Sequence, residues 1–119
     1  MKILLSGIFM LLAGCSHIPS FWDDNEARLA ADIRFAVGNI ECSQPYQVKV
    51  ENLSDKVDLL AIYSDLKGSS DVGEIIAMMK ETTDGFVEDN SNNEFFCNMK
   101  KKILIEQSTH VAKAIMGRY

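Results

Sequence analysis

The residues of this 119-residue chain whose types could support chemistry are three cysteines, two histidines and several carboxylates. Nucleophilic catalysis needs a histidine beside a nucleophile, with a carboxylate to orient it. His17 and His110 have no such company in sequence: G-x-S-x-G, H-E-x-x-H and Walker patterns are all missing. His17 falls in a linker and His110 on the flank of a helix. Asp23, Asp24 and Glu26 cluster, and paired carboxylates can act as acid and base. At the start of a helix the same acids complement the helix dipole, and that reading suffices. No catalytic residue is therefore assigned. Nor is a metal: Asp84 to Glu94 lacks calcium-loop spacing, no histidine lies near Cys42 or Cys97, and no C-x-x-C occurs.

The first cysteine has a distinctive setting. Met1-Lys2 is followed by an apolar run from Ile3 to Leu12, interrupted only by Ser6 and Gly7. As helix this run is roughly 15 Å long, too short for a ~30 Å hydrocarbon core and suited to the apolar region of a signal peptide. It ends in Leu12-Ala13-Gly14-Cys15, which resembles the lipobox of bacterial lipoproteins. The resemblance implies cleavage after Gly14, a thioether-linked diacylglycerol on Cys15 and a fatty acyl chain such as palmitate on the new amino group. Several acyl chains supply the durable anchoring that a single chain does not. Ser16 rather than aspartate follows the cysteine, which by the lipoprotein sorting rule implies the periplasmic side of the outer membrane. The chain then divides into a signal peptide (1–14), a lipidated tether (15–20) and a helical domain (21–119).

Export would place Cys42 and Cys97 in an oxidising compartment, where paired thiols bridge. Closing a loop of about 55 residues is worth about 4 kcal/mol in the chain-entropy model. That is a large share of the stability of a domain of this size.

The elements that must position these residues read as four helices. The first runs from Phe21 to Glu41 with Ser20 as N-cap and Asp23 and Asp24 in its first turn; Leu29, Ala30, Ile33, Ala36, Val37 and Ile40 recur at three- and four-residue spacing. The second starts near Pro45, carries Val50, Leu53, Val57, Leu60, Ala61 and Ser64 inward, and stops at Gly68. The third starts at Ser70 or Asp71, with Val72, Ile75, Ile76, Met79 and Phe86 inward. The fourth opens near Ser91 or Asn92 after the polar stretch 88–94. Its inward set is Phe96, Met99, Ile103, Leu104, Gln107, Val111, Ala114 and Ile115, and Gly117 closes it. The expected fold is all-α, a small up-down four-helix bundle with one disulfide. In that topology Cys42, at the end of helix one, and Cys97, near the start of helix four, share a pole.

Charge narrows the partners. With 12 basic and 17 acidic residues the net charge is −5, the wrong sign for a nucleic-acid binder. Glu81, Asp84, Glu88, Asp89 and Glu94 occur without an intervening base, and Lys100, Lys101 and Lys102 follow on helix four, where helical spacing fans them apart. Phe21-Trp22 has two readings, as a cap on the lower core or as rings in the headgroup region beside the lipidated cysteine.

Pro19-Ser20-Phe21-Trp22-Asp23-Asp24-Asn25 after a lipobox, the cysteine pair, Tyr63-Ser64 and Gly117-Arg118-Tyr119 are similar to small lipoproteins encoded by tailed bacteriophages. The resemblance implies action at the envelope of an infected Gram-negative cell and carries over no catalytic residue. The expectation is a non-enzymatic, membrane-anchored module that binds or occludes an envelope protein. Two rival expectations are a lysis- or cell-wall-associated protein and a carrier of small apolar ligands lined by Met78, Met79 and Met99.

Overall fold

Asp23 starts the first helix by accepting the backbone N–H groups of Asn25 and Glu26 at 2.9 and 3.0 Å, satisfying two donors that a helix N-terminus would otherwise leave open. In this computed structural model, which describes residues 22–89 and 92–118, the element order is α1 (Asp24–Gly38), α2 (Gln47–Lys67), α3 (Gly73–Glu88) and α4 (Glu94–Met116). Each helix packs against its neighbours in a ring, α1 on α2 and α4, α3 on α2 and α4, and the backbones of the diagonal pairs stay further apart. The expected all-α up-down bundle is the observed one. No helix among the described residues is long and apolar enough to cross a membrane.

The helix boundaries move inward from the sequence expectation. Asp23, not Ser20, caps α1, because its carboxylate reaches the open amides; Asp23 therefore stands before the first turn. α1 ends at Gly38 rather than Glu41, and Cys42 lies in the turn that follows. α2 begins at Gln47, two residues past Pro45, and ends at Gly68 as expected. There a φ of 85° favours glycine, and the Gly68 and Ser69 amides both donate to the Ser64 carbonyl. α3 begins at Gly73, with Val72 as its cap residue, and continues through Gly85 to Glu88. Asn93 caps α4 by accepting the Phe96 amide at 3.0 Å.

The inward stripes largely hold. Ala30, Ile33, Val37, Ile40, Val50, Leu53, Val57, Leu60, Val72, Ile76, Met79, Phe86, Leu104, Val111 and Ile115 are buried. Two members are misplaced: Met99 and Ile103 lie on the surface of α4, since its buried line runs through Cys97, Leu104, Ser108, Val111 and Ile115 instead. Two buried hydroxyls return to their own helix, Ser108 to the Leu104 carbonyl and Thr83 to that of Lys80.

Candidate functional site

The antiparallel ring brings the start of α1, the end of α2, the α2–α3 turn and the residues after α4 to one pole. At its centre is Glu26, the third residue of α1, which is fully buried. Its carboxylate accepts from the Ser64 hydroxyl at 2.7 Å and from Lys67 Nζ at 3.1 Å, both on α2. The Arg118 guanidinium closes the third side through Nη1, and its Nε and Nη2 form a fork on Asp71 at 2.9 and 2.6 Å. This two-toothed geometry suits arginine and not lysine. The Arg118 side chain is itself almost wholly buried by these contacts. Beside Glu26, the Tyr63 hydroxyl donates to the Asp23 carboxylate at 2.9 Å.

The electrostatics follow from this geometry. Burial pushes the Glu26 pKa up, but hydrogen bonds from Ser64, Arg118 and Lys67 outweigh it and hold the group below the ordinary glutamate range. Asp23 is also held low, first by the Glu26 amide that it caps. Both carboxylates are thus charged at neutral pH and engaged by donors. The Ser64 hydroxyl is buried and committed to Glu26. The arrangement suits a clasp that fixes four chain segments, rather than a proton donor or a nucleophile facing a substrate.

The expected cluster of Asp23, Asp24 and Glu26 is accordingly split. Asp23 caps the helix, Asp24 is exposed and accepts from the Trp22 indole, and Glu26 turns inward. The sequence pattern does not mark Arg118, Lys67 or Asp71 for this site. The available signal was register: Glu26 stands four residues before Ala30 and continues the line Ala30, Ile33, Val37, while Ser64 ends the inward line of α2. Two polar residues on buried faces at one pole imply a polar core there.

The other pole carries the cysteines. Cys42 and Cys97 are joined with Cα atoms 5.6 Å apart, linking the α1–α2 turn to the first turn of α4. Around the bridge, Tyr46 stacks at a tilt on Phe86 with ring centres 5.5 Å apart, and its hydroxyl donates to the Asn93 carbonyl. Phe86 meets Phe96 edge-on at 6.2 Å. Gln47 donates to the Val87 carbonyl, and Lys101 to that of Ile40 near the end of α1.

The remaining candidates are scattered. Cys15, His17, Phe21, the signal peptide and the tether lie outside the described residues. Trp22 is 44% exposed. His110 is exposed on α4, beside Glu106, Thr109 and Lys113 in a shallow depression. Glu81, Asp84 and Glu88 line a groove between α3 and α4 together with Lys80 and Lys100. The three lysines fan apart as expected: Lys100 covers the Phe96 ring, Lys101 turns to Ile40 and Lys102 faces outward. The methionine-lined cavity is corrected: Met79 is core, but Met78 and Met99 are about half exposed and line no common interior space. Among the described residues no group of three His, Cys, Asp or Glu is placed to hold a metal ion. Compared with known protein families, curated proteins and solved structures, the chain matches none of them.

Proposed function

We propose that this chain is a lipoprotein anchored through Cys15 to the periplasmic face of the outer membrane, where its bundle binds or occludes an envelope protein without catalysing a reaction. The observation that carries the reading is Leu12-Ala13-Gly14-Cys15 at the end of a ten-residue apolar run. The Cys42–Cys97 bridge supports it, since such a bond persists in an exported protein. The clasp at Glu26 supports the non-enzymatic part, because its polar groups are turned toward one another. From Cys15 to the start of the described domain at Trp22 the chain reaches at most about 25 Å. Any partner must therefore lie within that distance of the bilayer plus the length of the bundle.

Labelling expressing cells with an alkyne-bearing palmitate tests the anchor. The reading expects label on the wild-type chain in the outer-membrane fraction and none on Cys15→Ser. An unlabelled wild-type chain would overturn it. Crosslinking in intact cells tests the binding role: one envelope protein should be recovered repeatedly, and recovery of random neighbours alone would sink that part.

A further inference from the structure

α2 carries an apolar stripe that the bundle does not use. Leu59, Ile62 and Leu66 are 51, 58 and 82% exposed, on the side of the helix opposite the buried line Val57, Leu60 and Ser64. Their i, i+3, i+7 spacing keeps them in one row about 10 Å long. The row lies toward the Glu26 pole, where Trp22 begins the described residues just ahead of α1. Tyr63 lies four residues after Leu59 and three before Leu66, and its hydroxyl holds Asp23, the residue next to Trp22. The indole N–H is already given to Asp24, so the ring can enter an apolar medium without stranding a donor.

We propose that Trp22, Leu59, Ile62 and Leu66 form the face with which the bundle rests on the lipid bilayer. This deepens the anchoring reading and rests on it. The occupant follows from the chain outside the described residues: the segment that would carry the lipid ends at Trp22, at the pole toward which the row runs. Six residues lie between Cys15 and Trp22, so the bilayer is within about 25 Å of Trp22. A tether of this length raises the local concentration of bilayer enough for a small apolar face to stay engaged. The charges near the row decide which lipid. Asp55 and Asp65 are exposed on the same helix, and Asp58 is paired with Lys80. Insertion is therefore apolar and needs no anionic headgroup, unlike basic amphipathic surfaces.

The single tryptophan makes the contact measurable. On the anchoring reading the mature chain begins at Cys15, so the chain from Cys15 onward is used, its helicity checked by circular dichroism. With Cys42 and Cys97 oxidised, Cys15 is the one free thiol and couples to a maleimide lipid in phosphatidylcholine vesicles. This chemical attachment separates the docking test from acylation in cells. The expected result is a blue shift of Trp22 emission and quenching by brominated acyl chains. That quenching should be at least threefold weaker in the Leu59→Ser, Ile62→Ser, Leu66→Ser variant, at unchanged helicity. Unquenched wild type would overturn the proposal, and so would equal quenching in the variant, which would make the tether alone responsible. A requirement for anionic lipid would also overturn it. So would a wild-type dimer in sedimentation that the variant abolishes, which would assign the row to a second copy.

Discussion

The two poles of this bundle solve one problem with different chemistry. Each must hold α1 against α4, the pair most distant in sequence. The far pole does so with the Cys42–Cys97 bond, backed by the Tyr46, Phe86 and Phe96 rings. The near pole does so with ions, Glu26 on α1 clasped by Arg118 beyond α4 and by Lys67 on α2. A disulfide acts chiefly by restricting the unfolded chain and is indifferent to pH in the acid range. An ionic clasp is indifferent to oxidant and depends on each partner remaining charged. The poles should therefore fail under different conditions, and this makes the contrast testable.

The largest effect is expected at the covalent pole. Replacing both Cys42 and Cys97 by serine should remove about 4 kcal/mol. For a domain of this size that lowers the melting temperature by on the order of 20 °C, as read by circular dichroism. A melt shifted by only a few degrees would show that the aromatic cluster, not the bond, holds that pole.

Next is Glu26→Ala, which leaves Arg118 and Lys67 facing an empty buried space and should cost about 3 kcal/mol. Glu26→Gln keeps the shape and should cost less. A cycle with Arg118→Ala should show strong coupling, because the two side chains are in direct contact. Additive losses would mean that Arg118 serves Asp71 alone.

Acid should reach the near pole only. Glu26 and Asp23 are held below their ordinary values in the folded chain, so the unfolded chain takes up protons first as pH falls. Their contribution is complete above the ordinary carboxylate range and is lost as pH drops through the lowered folded values. Glu26→Gln should flatten the acid limb of the stability curve. Hydrogen exchange should then rise at the start of α1 and the end of α2 on acidification, and at the start of α4 on reduction. Simultaneous opening of both poles under either treatment would break the distinction.

The smallest effect is expected for Asp23→Ala, which removes the cap of α1 and the Tyr63 bond and should lower the melt by about 5 °C. Asp23→Asn should recover most of it, since asparagine also caps.

The four helices, their order and the pole shared by the cysteines were legible because apolar spacing is a local property that survives in sequence. Gly68 announced its own stop for the same reason, as a left-handed position that glycine fills at least cost. The boundaries shifted because a cap depends on which carboxylate reaches the open amides, and Asp23 reaches them where Ser20 was expected to. Met99 reads as inward from its spacing, but α4 is long, and a small error in the direction of its stripe carries a residue from core to surface.

What the sequence determined by itself is the bundle, its disulfide and the motif that proposes its address, each encoded by residues near one another or by one redox pairing. What only the tertiary structure decided is the clasp. Glu26 and Arg118 are 92 positions apart, and nothing in the spacing of either one names the other. A buried charge acquires its meaning from whatever the fold sets opposite it, and here that partner arrives from the far end of the last helix.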